Sequence, residues 1–228
     1  MKDAVLEVIA CTVADAVEAE KGGANRLEVI SRFDVGGLTP SLDLVREIKA
    51  KVSLPLRVML RESEGYEASS EAEIERLCQA ARELNQIRVD GIVLGFLKGD
   101  EIDFELTGKV LDCAPALKAT FHHAFEETRD KLGAIEKLKA FRQIDRILSH
   151  GGNGSWAEKL SRLEAYAQAG LPEIKILAGG GVDAEAIELL KKKTSVREFH
   201  AGSAARRLGK VDKSRVEALV RALRETYE

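Results

Sequence analysis

The chain has four histidines, His122, His123, His150 and His200, and each falls in or at the end of a short β-branched or apolar run. Imidazole titrates near neutral pH, so residues placed this way can pass protons or ligate a metal. Glu7, Glu28, Arg57 and Arg61 are charges inside similar runs. A strand covered on both faces should be apolar, and an isolated charge withdrawn from water costs several kcal/mol unless it is paired. These four are therefore expected to meet one another inside the fold, so that removing Glu28 strands a guanidinium at a cost on the order of 3 kcal/mol. Such a network can be purely structural. It can also be a site in which a carboxylate and His122 exchange protons while an arginine orients an anion. On the second reading Glu7, Glu28, Arg61 and His122 carry catalysis, with Arg61 and His122 later along their runs than Glu7 and Glu28. Neighbouring strand residues face opposite ways, so only one of His122 and His123 is expected to reach the site.

Glycine supplies a further constellation in Gly151-Gly152-Asn153-Gly154, Gly179-Gly180-Gly181 and Gly202-Ser203. Backbone N–H groups at such turns cradle phosphate, and Gly180, Gly181, Gly202 and Ser203 are the candidate anion-binding residues. Tight turns that need positive φ explain the same glycines without a ligand, and Asp183 as an acidic N-cap works against an anion at the helix that follows. For a metal, ligand chemistry admits Cys11 with His122, or His122 with His150 and His200. Cys11, Cys78 and Cys113 are far apart and form no CxxC, which leaves neither a disulfide framework nor a four-thiolate zinc site. Cys78 and Cys113 read as core thiols.

The elements that position these residues run the length of the chain. Strand-like runs at Val5 to Cys11, Arg26 to Ser31, Leu56 to Arg61, Gly91 to Phe96, Lys118 to His123, Arg146 to Gly151, Glu173 to Gly180 and Glu198 to Ser203 are each followed by a helical pattern. Ile74, Leu77, Cys78, Ala81 and Leu84 share one helical stripe, and Val216, Leu219, Val220 and Leu223 share another. Pro55, Pro115 and Pro172 precede strand runs, and Pro40 behind Thr39 reads as the first residue of a capped helix. Eight βα units predict a single (β/α)8 barrel, a TIM barrel, over residues 1–228. An open doubly wound sheet ranks second, because Cys11-Thr12-Val13-Ala14 stands where its nucleotide-binding form needs GxGxxG. In a barrel, chemistry lies at the C-terminal ends of the strands, where the histidines and glycine turns fall.

Composition bounds the function classes. The 228 residues are 45% hydrophobic and 32% charged with four prolines, which excludes disorder and collagen-like architecture. A net charge of -3 and 5% aromatics provide neither a phosphate-tracking stripe nor a stacking platform, so no nucleic-acid partner is expected. The single basic run, Lys191 to Lys193, falls where a helix ends and suits its dipole. No apolar run reaches the ~18 residues of a membrane span, and Lys2, Asp3 and Glu7 interrupt the start, so a cytoplasmic location without a membrane partner is expected. There is no Walker A, HExxH or GxSxG pattern. The expected ligand is a small molecule or a metal ion, and pairing of helix faces into a homo-oligomer stays open.

Leu6-Glu7-Val8, Gly23-Ala24-Asn25-Arg26-Leu27-Glu28 and Gly36-Gly37-Leu38-Thr39-Pro40-Ser41 together resemble the opening of the CutC copper-homeostasis family. Thr120-Phe121-His122-His123-Ala124-Phe125-Glu126 is similar to its TFHRAFD motif, Arg146-Ile147-Leu148-Ser149 to its RVLTS, Ala178-Gly179-Gly180-Gly181 to its glycine block and Glu198-Phe199-His200 to its EFH. The resemblance spans nearly the whole chain and implies a TIM barrel, cytoplasmic copper handling and copper as the ion bound. This sequence departs from the family pattern at several positions. Ile9 and Ile30 stand where many members carry cysteine, with Cys11 two residues beyond Ile9; His123 replaces an arginine and Glu126 an aspartate; and Arg61-Glu62-Ser63-Glu64-Gly65-Tyr66 replaces Arg-Pro-Arg-Gly-Gly-Asp. Thiolates are what Cu(I) prefers. The alternative to copper handling is a barrel enzyme acting by acid/base chemistry on a small anionic or phosphorylated metabolite, with the polar Glu62 to Ser70 loop and its Tyr66 as a lid. A metal-dependent lyase, isomerase or nuclease would need acidic ligands at the strand mouths, and Glu7 and Glu28 are placed deeper.

Overall fold

The computed structural model describes residues 4–68 and 70–224; residues 1–3, 69 and 225–228 lie outside the described residues, and with them Lys2, Asp3 and the Ser69 of the polar loop. The eight expected strands are β1 (Val5–Ala10), β2 (Arg26–Val29), β3 (Leu56–Met59), β4 (Gly91–Leu94), β5 (Lys118–Phe121), β6 (Ile144–Ser149), β7 (Lys175–Ala178) and β8 (Glu198–Ala201). Each pairs in parallel with its neighbours, and β1 pairs with both β2 and β8, closing a barrel. Around it lie α1 (Val13–Lys21), α2 (Leu42–Lys51), α3 (Glu71–Ile87), α4 (Phe104–Asp112), α5 (Lys131–Leu138), α6 (Trp156–Gly170), α7 (Ala184–Lys193) and α8 (Lys213–Arg224). This is the predicted (β/α)8 barrel.

Local chemistry explains the elements. Strands β2, β3, β4 and β8 are buried at every position, as strands between an interior and a helical jacket must be. Helices α1 to α7 begin on Thr12, Ser41, Ser70, Asp103, Asp130, Ser155 and Asp183, whose side chains accept an N–H of the first turn; each such cap contributes about 1 kcal/mol. The stripes fall as their spacing predicts, with Leu77, Cys78, Ala81 and Leu84 buried on α3 and Val216, Leu219, Val220 and Leu223 on α8. Lys191 to Lys193 form the last turn of α7. Pro40 differs from expectation. Helix α2 is capped by Ser41, while Thr39 Oγ1 accepts the Arg61 N–H at 2.9 Å and donates to the Arg61 carbonyl at 3.0 Å. Among the described residues no helix is long and apolar enough to cross a membrane.

The interior holds the charged layer, with partners other than those expected. Arg26 Nε donates to Glu7 Oε2, and Arg26 Nη2 reaches Glu198 Oε2 at 2.9 Å. Lys175 closes on Glu198 from the neighbouring β7, and Arg146 from β6 beyond it. Arg57 forks onto Asp145 at 3.1 and 3.0 Å and reaches Asp90 at 2.9 Å. It can do so because it passes over Gly91, where any Cβ would lie 2.6 Å from its Nη1. Glu28 therefore holds no guanidinium, and Arg61 leaves the layer altogether. Above the charges lies a small apolar layer of Ile30, Met59 and Val93 with Ile9 and Cys11 packed on it.

Candidate functional site

Above that apolar layer, at the C-terminal end of the strands, opens a cavity of about 230 Å³. Glu28, Arg61, His122 and His200 line it, as do Gly180, Gly181, Gly202 and Ser203. Of the candidate catalytic residues only Glu7 stands behind the wall, at 1% exposure. Ile9, Ile30 and Met59 form its apolar side.

The buried centre of the site is a line of three groups. His200 on β8 sets its Nδ1 2.8 Å from Glu7 Oε1 on β1 and its Nε2 3.7 Å from Glu28 Oε2 on β2. Register explains the first contact, since His200 is the β-ladder partner of Glu7. Burial pushes the Glu28 carboxyl up to about 7, with repulsion from Glu7 adding to it against the attraction of His200 and Arg26. Burial also acts on Glu7, but Arg26 and the His200 hydrogen bond outweigh it and hold that carboxyl well below the usual range. For His200, burial is outweighed by Glu28 and Glu7, which raise its affinity for a proton. Environments have thus separated two carboxyls, one permanently ionised and one poised near neutrality, the arrangement expected of acid/base assignments. His200, expected only as a metal ligand, is the partner of Glu28 in this line.

His122 differs from its expected role. Its Nδ1 accepts the Ala124 N–H at 3.1 Å, which places the ring proton on Nε2. That Nε2 is buried without a protein partner. Burial, the Arg61 charge and His123 lower its pKa to about 3, so the ring is neutral and serves as a hydrogen-bond donor, not as a general base. His123 also lines the cavity, contrary to the alternation argument. The strand ends at Phe121 and a 3-10 turn starts at His123, so period 2 no longer applies.

Arg61 is similarly redirected. Its Nε donates to Gly65 O at 3.3 Å, Nη1 to Val35 O at 3.1 Å and Gly37 O at 3.2 Å, and Nη2 to Glu64 O. A guanidinium has five donors, so little of the fork remains for a carboxylate or phosphate. Arg61 instead ties the 33–37 turn to the polar loop and stacks 4.9 Å from the Tyr66 ring. Tyr66 O accepts from Leu97 N at 2.8 Å, so the expected lid is a fastened wall.

At the opposite rim Gly180 and Gly181 hold φ of 71° and 92°; a Cβ on Gly180 would lie 2.6 Å from His150 Cβ, whereas none would meet anything at Gly181. Asp183 caps α7 as expected, accepting from Ala186 N at 2.9 Å.

The proposed set of His122, His150 and His200 does not assemble. Among the described residues, two groups bring three ligand atoms within 4.8 Å, Glu7 with Glu28 and His200, and His123 with Glu126 and His150; neither contains Cys11 or His122. Cys11 Sγ lies 3.6 Å from Arg206 Nη2, and burial pushes its thiol up despite that arginine. Ile9 and Ile30 offer no donor. Copper(I), which the resemblance implies, prefers soft thiolate and thioether ligands, and among the residues lining the mouth only Met59 offers one, so the lining does not supply the sulfur set that ion favours.

A family model, the CutC family, matches residues 4–205. The chain is 33% identical over 209 residues to a family protein CutC of Xylella fastidiosa, covering 90% of this chain and 78% of that one. It is 31% identical over 204 residues to the human copper homeostasis protein cutC homolog, covering 89% and 74%. A crystal structure of CutC from Streptococcus agalactiae superposes with a TM-score of 0.79 at 26% identity, covering 88% of this chain and 98% of that one. Phosphoribosyl anthranilate isomerase of Thermococcus kodakaraensis, at TM-score 0.67 and 14% identity over 98% of this chain and 100% of that one, shares the barrel fold alone. With a family model matched over most of its length and relatives above 30% identity, the chain belongs to the CutC family, whose curated members include copper homeostasis proteins.

Proposed function

We propose that this barrel is a cytoplasmic enzyme that moves a proton on a small anionic metabolite, with Glu28 as the group that takes and returns it. The observation that carries the reading is the Glu7–His200–Glu28 line, which places a carboxyl of pKa about 7 on the cavity wall with an oriented imidazole behind it. A base poised near the working pH combines a useful unprotonated fraction with the driving force to abstract. His122 would donate its Nε2–H to an oxygen on which negative charge develops, as a neutral imidazole does in known proton-transfer barrels. The anionic end of the substrate, a phosphate or carboxylate, would lie against Gly180, Gly181, Gly202 and Ser203, the rim where barrels commonly hold phosphate. The apolar side formed by Ile9, Ile30 and Met59 would keep water from the reacting atoms.

On this reading the link to copper homeostasis carried by the relatives' names does not run through a copper(I) ion held at the mouth. The test is a thermal-shift comparison of phosphate, sugar phosphates and chloride at equal ionic strength, followed by solvent proton exchange into any stabilising metabolite. Stabilisation by the phosphorylated compounds alone, with exchange lost in Glu28→Gln, supports the reading. Equal shifts for all anions, or tight one-to-one Cu(I) binding abolished by Cys11→Ser, overturns it.

A further inference from the structure

Outside the proton line, His123 and Glu126 of the turn after β5 converge with His150 at the end of β6, each bringing one ligand atom within 4.8 Å of the others. The hydrogen bonds around them leave ligand atoms free. Glu126 Oε1 accepts from Ser149 Oγ and from His150 N, both at 2.7 Å, while Oε2 of the same side chain, only 6% exposed, is buried with no partner. His123 Nδ1 is likewise buried and unpartnered. His150 Nδ1 lies 3.1 Å from the Gly152 carbonyl, which can only accept, so Nδ1 carries the proton and Nε2 presents a lone pair. Outer hydrogen bonds that fix a histidine tautomer and orient a carboxylate are what metal ligands characteristically have. Burial of an unpartnered carboxylate oxygen beside an unpartnered imidazole nitrogen is costly, and a cation offsets both.

We propose that His123, Glu126 and His150 bind a first-row divalent cation of the Zn(II) class. Two imidazoles and one carboxylate without sulfur suit borderline divalent ions and not Cu(I). An ion about 2.1 Å from each ligand holds tetrahedral ligand atoms about 3.4 Å apart, a spacing within the 4.8 Å that bounds this group. His123 and His150 are half-buried. With three protein ligands a coordination position stays open, and since His123 also lines the cavity, that position would adjoin the proposed substrate. The Glu7–Glu28–His200 group is a poorer cation site, because Arg26 and His200 already occupy both oxygens of Glu7.

The experiment uses the full chain, stripped with a chelator and titrated with Zn(II) against a chromogenic competitor, and with Co(II) monitored through its visible d–d bands. The expected result is one ion per chain, Co(II) bands without a thiolate charge-transfer band, and at least tenfold weaker binding in His150→Ala and Glu126→Gln, with Cys11→Ser unchanged. His150 is 29% exposed on its side chain, so its alanine variant is the one best placed to stay folded, which far-UV circular dichroism checks. Absence of stoichiometric binding, or unaltered affinity in folded His150→Ala, overturns the site and leaves the proton line untouched.

Discussion

His200 Nε2 faces Glu28 Oε2 across 3.7 Å, at the floor of the cavity. Glu28 sits near 7 and His200 is raised, so the pair passes from one net charge to another around neutrality, and the change belongs to both groups. An anion above them should therefore be held more tightly at pH 6 than at pH 8.5. Sulfate, whose charge is constant over that range, is the suitable probe. Its stabilisation of the melting temperature should decline as pH rises in the wild type and vary less in Glu28→Gln. Identical pH dependence in the two proteins would remove Glu28 from the site's electrostatics.

The stability cost expected for Glu28 moves to Glu198. Glu198 answers Arg26, Arg146 and Lys175, and although burial opposes it these partners hold its carboxyl down to about 2. Glu198→Ala leaves Arg26 with Glu7 alone and Arg146 with Asp145 alone, each guanidinium with part of its fork buried and unanswered, and should cost about 3 kcal/mol. Because its pKa is depressed, this contribution is present above the ordinary value of 4.5 and is lost as pH falls toward 2. Glu28 has the opposite sign. Its pKa is raised from 4.5 to about 7, so the native state binds the extra proton and stability falls as pH rises through that window. At pH 8, Glu28→Gln should match or exceed the wild type in urea midpoint, whereas Glu198→Ala should unfold far earlier.

The barrel was legible because it is written in periodicity: β-branched runs and helical stripes recur eight times. The partners were less legible. Arg26, Arg146 and Glu198 stand at or near the starts of their strand-like runs, where a charge reads as solvated, yet parallel register brings Arg26 beside Glu7 and Glu198 beside Val5. Arg57 finds Asp90 and Asp145 only because Gly91 clears its path. Arg61 answers backbone carbonyls of Val35, Gly37, Glu64 and Gly65, and carbonyl directions in a loop leave no mark in residue types. The His123, Glu126 and His150 cluster had a usable signal, a His-x-x-Glu spacing followed by a histidine at the next strand end, but strand alternation was carried one residue past the end of β5.

Two neutral histidines, His122 buried and His123 half-buried, should govern acid unfolding. Burial, with nearby positive charge from Arg61 or the other histidines, lowers His122 and His123 to about 3 from 6.5. Below pH 6.5 the unfolded chain binds protons that the native chain refuses, so stability falls as pH drops from 6.5 toward 3. Two such groups outweigh the single opposing slope of Glu28, and the loss should reach several kcal/mol by pH 4. Urea midpoints at pH 7, 6, 5 and 4 would measure it, and His123→Asn should shallow the decline. A midpoint that stays flat from pH 7 to 4 would mean that these rings are protonated in the native state.

Arg61→Lys separates charge from geometry at the mouth. The substitution keeps one positive charge but replaces a planar fork by a single ammonium, which cannot reach carbonyls of Val35, Gly37, Glu64 and Gly65 together. Hydrogen bonds from a charged group are worth about 1.5–3 kcal/mol when the acceptors are left unanswered, though loop carbonyls can turn to water and recover part of this. The expected global loss is therefore about 1–2 kcal/mol, with a larger local effect. Tyr66 loses the cation stacked on its ring, and its contact with His122, 5.3 Å between centroids, loses the backing that fixes it. Amide exchange should accelerate in segments 33–37 and 62–66 while β1 to β8 stay protected, since the barrel layers do not pass through Arg61. Uniform acceleration across the barrel would place Arg61 in the core network after all, and unchanged exchange in both segments would show that they hold their positions without it.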